Sequence, residues 1–384
     1  MTRLEDYNAI NDVVKLLAED GFDSLGEAIR RIINEAMRLE RQNHLGVGHY
    51  ERSEARCGYA NGYKSKTVQT RVGALDLAVP QVRDSSFYPS SLEKGLRSER
   101  ALKVALAEMY VQGVSTRKVA KITEQLCGFE ITSTQVSRAA KELDEILEQW
   151  RNRPLGAFPY VYLDARYEKV RHNGSVIDVA VLVAIGVAKT GKRQILGTSV
   201  ALSEQEAHWR DFLRSLQERQ LHGIQLFISD AHEGLKAARK AVFPSVPWQR
   251  CQFHLQQNAQ AYVPKKEMKK EVAAAIRGIF NAPDEAEAKR QLNLLVERYE
   301  KAAPRLTAWA EENIQEGLTI LQFPEEHRRR IRTSNVIERV NKEIRRRTRV
   351  ATLFPNEDSC LRLVSAVLME ISEEWETGRV YLTF

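Results

Sequence analysis

The chain has 384 residues, 43% of them hydrophobic, which supplies apolar material for two or three domains and excludes a disordered chain. Lys and Arg total 58 against 51 Asp and Glu, a formal net charge of +7 that excludes an acidic solvating protein and admits a polyanionic partner. The excess is local. Residues 328–349 hold ten cations (Arg328, Arg329, Arg330, Arg332, Arg339, Lys342, Arg345, Arg346, Arg347, Arg349) against Glu338 and Glu343, which leaves the remaining chain close to neutral.

The first residues, Met-Thr-Arg-Leu-Glu-Asp, lack the cationic start and apolar core of a signal peptide. The longest apolar run, residues 179–188, is too short to span a bilayer. Cys57, Cys127, Cys251 and Cys360 stand far apart, with no C-x-x-C pair, and read as reduced thiols. The expected location is the cytoplasm.

Residues 1–50 read as a helical segment, with apolar residues at helical period over 7–41 and a junction near Gly21. Residues 51–98 turn to Gly, Tyr, Ser and Pro, a small β-containing segment. There Thr67–Val72 and Leu75–Val82 predict a hairpin about Gly73-Ala74, with Pro80 restricting it to an edge. Residues 99–153 return to helical period. Ser115 reads as the N-cap of a helix through Leu126, Gly128 as its stop and Ser133 as the next cap. The pair is helix-turn-helix-like, with Arg117, Lys118 and Lys121 on the first helix and Arg138 and Lys141 on the second. Its residues leave open both DNA binding and plain helical packing.

After Pro154 three strand-like runs follow, residues 160–171, 176–189 and 194–202, separated by the hairpin signal Asn173-Gly174 and by Gly191. Ser203-x-x-Glu206 predicts a capping box opening a helix to Gln220. Short strands at 224–229 and 246–252 flank a helix over Glu233–Val242. The order β-β-β-α-β-α-β gives a mixed five-stranded sheet flanked by helices, so the fold class is α/β. From His254 to Phe323 the pattern is helical throughout, and a last helix begins near Asn335 and carries the basic cluster.

Three acids fall where such a fold would gather them: Asp164 within the first strand, Asp230 ending the fourth and Glu338 in the final helix. Strand ends of an open sheet face a crevice, and a helix packed across it can add a third carboxylate. Three carboxylates with no histidine or thiolate make a hard-oxygen site suited to Mg²⁺ or Mn²⁺. Two such ions can activate an attacking oxygen and stabilise a leaving one in phosphodiester displacement. A mid-strand carboxylate is costly to bury unless it has a use. Asp230 could instead cap the following helix, and Asn335-x-x-Glu338 could be a capping pair.

Residues 155–350 resemble the catalytic core of the mutator-type bacterial insertion-sequence transposases, a branch of the RNase H-like DDE transposases. The stretches that carry the likeness are Tyr162-Leu-Asp-Ala-Arg, Ile228-Ser-Asp-Ala-His-Glu-Gly-Leu, Trp248-Gln-Arg-Cys-Gln-Phe-His and the long run Arg332-Thr-Ser-Asn-Val-Ile-Glu-Arg-Val-Asn-Lys-Glu-Ile-Arg-Arg-Arg-Thr-Arg-Val. The upstream Asn61-Gly-Tyr and Gly113-Val-Ser-Thr-Arg fit as well. One departure, Arg-Thr-Ser-Asn-Val-Ile-Glu in place of Thr-Thr-Asn-Ala-Ile-Glu, leaves the acid untouched. The resemblance implies an RNase H-like catalytic domain over 154–254 and 326–384, an all-α insertion over 255–325, and helical N-terminal DNA-binding domains. It places the catalytic, metal-holding acids on Asp164, Asp230 and Glu338. It also implies Trp309 as a base-stacking residue, which could equally be core between Leu306 and Ile314.

Cys251-x-x-His254 has no second Cys/His pair at zinc spacing. The resemblance makes it a family signature near the active site, leaving His254 to position DNA or a catalytic group. On the last helix Glu338, Lys342, Arg345 and Arg349 form one strip and Ile337, Val340 and Ile344 the core-facing one. The strip is either a phosphate track or a solvated face. The candidate DNA contacts are therefore Arg117, Lys118, Lys121, Arg138, His254, Trp309, Arg332, Asn335, Arg339, Lys342, Arg345, Arg346 and Arg349.

The expected protein is a transposase that binds terminal inverted repeats and target DNA and uses two Mg²⁺ or Mn²⁺ ions. It would free a 3′-OH and transfer it to a second phosphodiester without a covalent protein intermediate. The resemblance implies a homodimer or larger synaptic assembly and a circular intermediate. The alternatives are an RNase H-like structure-specific nuclease or resolvase, and a non-catalytic DNA-binding regulator.

Overall fold

A computed structural model describes residues 9–48, 54, 56–83, 86–94, 98–350 and 352–384; the start of the first expected helix at 7–8 lies outside them. The chain divides into two compact units, 1–142 and 143–384. Among the described residues no helix is long and apolar enough to cross a membrane.

In the first unit α1 (Ala9–Asp20) and α2 (Leu25–Leu45) meet at a short 3₁₀ turn beginning at Gly21. Strands β1 (Ala60–Thr70) and β2 (Gly73–Val82) form a two-stranded antiparallel sheet. Its turn is Arg71-Val72, two residues earlier than Gly73-Ala74. The reason is Thr70, whose hydroxyl donates to Gly73 O at 2.8 Å while Val72 N–H donates to it, closing the loop at the Thr70–Gly73 pair. The apolar face, with Val68, Leu75, Leu77 and Val79, packs on Met37 of α2.

Helices α3 (Arg100–Val111), α4 (Thr116–Cys127) and α5 (Ser133–Lys141) share a core of Leu102, Leu106, Val119, Ile131 and Val136. Ser115 caps α4 through Lys118 N–H, and Gly128 ends it in the left-handed conformation. The cap of α5 is Thr132 rather than Ser133. Gln135 completes a reciprocal capping box with Thr132, which a cap at 133 would forfeit.

The second unit opens with α6 (Asp144–Asn152), so the helical stretch expected over 99–153 is divided between the two units. Then come β3 (Tyr160–His172), β4 (Ser175–Val187), β5 (Arg193–Ala201), α7 (Glu206–Glu218), β6 (Leu226–Ser229), α8 (Glu233–Val242) and β7 (Trp248–Arg250). The sheet order is β5-β4-β3-β6-β7, antiparallel across the first three strands and parallel across the last three. Asn173 and Gly174, both at positive φ, form the two-residue turn that twists β3 into β4. No capping box opens α7. Gln205 is its N-cap without a side-chain bond, because Ser203 lies against His208 and Glu206 is paired with Arg210.

Side chains alternate along β3, so Val161 and Leu163 face α7 and α8 in a core with Trp209, Phe212, Leu213, Leu216 and Leu235. Full burial of each such side chain stabilises by about 1.5–3 kcal/mol. Tyr160, Tyr162 and Asp164 alternate to the opposite face. That face receives α13 (Glu325–Ile331), α14 (Asn335–Thr348) and α15 (Glu357–Thr377). The helix at Asn335 is thus not the last: α15 packs across β5, where Ser372 Oγ accepts from Ile195 N–H at 3.1 Å. Between sheet and α13 stand α9 (Gln252–Ala259), α10 (Met268–Phe280), α11 (Glu285–Tyr299) and α12 (Pro304–Asn313), around a separate core that includes Leu255, Ile276, Leu295, Leu306 and Ile314.

The final residues return to the sheet as a strap. Tyr381 N–H donates to Gly191 O at 2.9 Å, Thr383 O lies 2.8 Å from His327 Nε2, and the Phe384 ring stacks on Tyr160. Gly191 is at φ +78°, and a Cβ there would lie 1.8 Å from Leu382 O, so only glycine admits the strap.

Candidate active site

The register of the two central strands brings two acids together. Parallel pairing of Leu163 with Ser229 sets Asp230, just past β6, beside Asp164 on β3. Asp164 is partly buried, and Asn341 Nδ2 donates to its Oδ2 at 2.7 Å. Burial, reinforced by the negative charge of Asp230, pushes its carboxyl up to about 7, against the hydrogen bonds from Ala165 and Asn341.

Glu338 comes from the first turns of α14, whose Val336, Ile337, Val340 and Ile344 are buried as the expected core-facing strip requires. Asn335 is the first helical residue and Ser334 the cap, with no side-chain cap bond, so the Asn335–Glu338 capping pair does not form. Glu338 is released for another use.

His254 of α9 stands between the acids. Its Nδ1 is 3.2 Å from Asp230 Oδ1 and its Nε2 3.8 Å from Glu338 Oε1. The Asp230 carboxylate, followed by Cys251, raises the imidazole to about 10, so it is a cation at neutral pH. Neither contact is aligned as a hydrogen bond, and Asp230 Oδ1 and Glu338 Oε1 are both buried without one. Cys251 anchors the arrangement: its Sγ accepts from Ser334 N–H at 3.3 Å, and Gln252 N–H donates to Arg332 O, tying the starts of α9 and α14 together. Burial raises its thiol, but His254 and Ser334 outweigh that and leave it below the usual value.

Two orphaned carboxylate oxygens and a third acid held near neutrality form a hard-oxygen donor set, which fits Mg²⁺ or Mn²⁺ rather than a soft metal. Among the described residues no three His, Cys, Asp or Glu side chains are yet drawn close enough to enclose an ion.

The basic helix divides its cations. Arg347 is buried and pairs with Glu343 and Glu370, Arg346 pairs with Glu343, and Arg328 donates to three backbone carbonyls. Arg332 donates to Asn281 Oδ1 at 3.0 Å. Arg339, Lys342, Arg345 and Arg349 are exposed and make no ion pair among the described residues, as is also true of Arg117, Lys118, Lys121 and Arg138 on α4 and α5. Asn335 is exposed. Trp309 is not available to a ligand here: it is 8% exposed, within the insertion core, and stacks on Tyr262 at 5.6 Å. Sequence reasoning missed Asn341, although its place three residues after Glu338 puts it on the same side of the helix. It also missed Arg166, which bonds Asn341 O and pairs with Glu168.

An α/β unit that collects acids from two parallel strands and a basic helix narrows the class to proteins acting on charged, phosphate-bearing substrates. The family profile described as "Transposase, Mutator family" matches residues 1–378, and the chain belongs to that family. It is 57% identical to the transposase for insertion sequence element IS406 of Burkholderia multivorans, over 99% of this chain and 98% of that protein. It is 36% identical to the transposase for IS256 in transposon Tn4001 of Staphylococcus aureus, over 98% of this chain and 96% of that protein. A solved Mos1 transposase paired-end complex overlaps at a TM-score of 0.17 and 13% identity, over 60% of this chain and 82% of that one, too loosely to bear on the fold.

Proposed function

We propose that this insertion-sequence transposase cleaves and joins DNA at the ends of its element with Asp164, Asp230 and Glu338. The observation that carries the reading is the convergence of these acids on His254, with two carboxylate oxygens buried and unbonded. We read 154–254 and 326–384 as an RNase H-like core, supported by the strand order, and 255–325 as its all-α insertion, supported by the separate helical core. The three acids would hold divalent cations, which when bound supply Lewis-acid activation of water or a 3′-OH and stabilise the departing oxygen.

The chain's own residues do the rest. Asn341 orients the Asp164 carboxylate, and Arg166 fixes the backbone of Asn341. His254, positively charged, holds Asp230 and Glu338 apart from mutual repulsion until a cation or substrate replaces that charge. Arg339, Lys342, Arg345 and Arg349 position backbone phosphates along α14. Arg117, Lys118, Lys121 and Arg138 are the candidate contacts to inverted repeats, and assembly on two ends would pair two or more copies.

Glu338→Gln and Asp230→Asn in the full chain are expected to cut strand cleavage at least about a hundredfold, as loss of an essential group does, while leaving binding to the element's ends intact. Retained Mg²⁺-dependent cleavage in either variant overturns the assignment.

A further inference from the structure

Around the start of α14, and including Arg339, the residue after Glu338, lies a recess of about 220 Å³ with four arginines in its wall: Arg193 from β5, Arg329 and Arg330 from α13, and Arg339 from α14. Tyr381 of the strap and Asn335 complete it. No carboxylate lines it. None of the four guanidiniums makes an ion pair or hydrogen bond among the described residues. Aromatic faces aim two of them instead: the Arg193 guanidinium lies 4.1 Å from the Trp375 ring centroid and 4.7 Å from that of Tyr381, and Arg330 lies 5.0 Å from Tyr381. Stacking fixes a guanidinium while leaving its N–H edge free.

Four like charges held together without a counter-ion are costly. Burial lowers the Arg193 pKa, and the charges of Arg339 and Arg330 lower it further. The recess also meets the start of α14, where no side chain caps the helix. An anion would relieve both strains at once, meeting forked N–H donors and an uncapped helix end. The volume is below the roughly 300–1,000 Å³ of small-molecule sites and suits a single phosphate group.

We propose that this recess binds one backbone phosphate of the DNA strand presented to Glu338. The inference rests on reading DNA as the substrate. It assigns Arg193, Arg329 and Arg330 a binding role outside the acid cluster. Arg329 and Arg339 are exposed at the rim, as an extended polymer requires.

The test uses the full chain and a duplex copied from the end of its element, with binding read by anisotropy across a salt series. Arg329→Gln/Arg339→Gln removes two cations that make no ion pair or hydrogen bond among the described residues, and an unchanged melting temperature checks its fold. The slope of log K against log salt is expected to fall by about 0.9, one phosphate. A scan of singly placed neutral methylphosphonates is expected to find one position that costs the parent chain about tenfold and the variant nothing. An unchanged slope, or the absence of such a position, overturns the proposal. Inorganic phosphate that binds the parent and not the variant, while both keep the same slope on DNA, also overturns it and reassigns the recess to a free anion. Neither readout requires cleavage, so failure of the acids as catalysts is scored separately.

Discussion

The two ends of α14 are built from the same residue types and meet opposite fates. At its C-terminal end Arg346 and Arg347 are tied to Glu343, and Glu370 of α15 also pairs with the buried Arg347. At its N-terminal end Arg339 makes no ion pair among the described residues and lines a recess walled by three further arginines, while Glu338 has only the His254 imidazole, 3.8 Å away. Cations counted in a sequence are therefore not cations offered to a ligand. Arg347 holds α14 to α15, whereas Arg339 stands among like charges.

The comparison can be broken first at the acids. The folded state holds the Asp164 proton more tightly than an unfolded chain does, so between pH 4 and about 7 the contribution of this group to stability falls as pH rises, then stays constant. At 1.36 kcal/mol per pH unit the free energy at stake is on the order of 4 kcal/mol. Asp164→Asn in chelator is expected to melt well above the parent at pH 8 and close to it at pH 4. A constant gap between the two melting curves would remove burial as the cause.

The structural end should yield next. Arg347→Ala is expected to cost about 1–3 kcal/mol in denaturant unfolding, because it removes a buried side chain, takes from Glu370 its partner and leaves Glu343 with Arg346 alone. Its DNA salt slope should stay that of the parent. Lys342→Gln/Arg345→Gln should do the reverse, with stability within about 0.5 kcal/mol of the parent and a slope lower by up to about 0.9 for each phosphate no longer neutralised. If both variants shift the same quantity, the division of the α14 cations into a packing group and a binding group is wrong. The smallest effect is expected from Gln135→Ala. It breaks the reciprocal cap of α5 at a cost of about 0.5–1 kcal/mol, and thermal melting of the first unit reads it.

Much of the second unit was legible because its signals are local. The Asn173-Gly174 turn, the period-2 strands and the helix at Glu233–Val242 each follow from a few adjacent residues. The acids were legible because a mid-strand Asp has few bland explanations, and because the run after Arg332 resembles a known family. What stayed hidden depends on contacts distant in sequence. Nothing near Cys251 announces that its sulfur accepts the Ser334 N–H, and nothing near Arg193 announces Tyr381. The caps misread at Ser133 and Ser203 failed for a related reason: several residues could cap, and packing chose among them. The basic cluster misled most, since only the fold shows that Arg328 and Arg347 serve the backbone and the core.

The strap at Tyr381–Phe384 has a consequence for timing. It is synthesised after every element it fastens, yet it covers Tyr160, occupies the notch at Gly191 and bonds His327. Until it leaves the ribosome, α13 and the edge of the sheet lack that closure and the arginine recess lacks its aromatic wall. The nascent protein would pass through a stage in which the acids can already be gathered while the recess is unfinished.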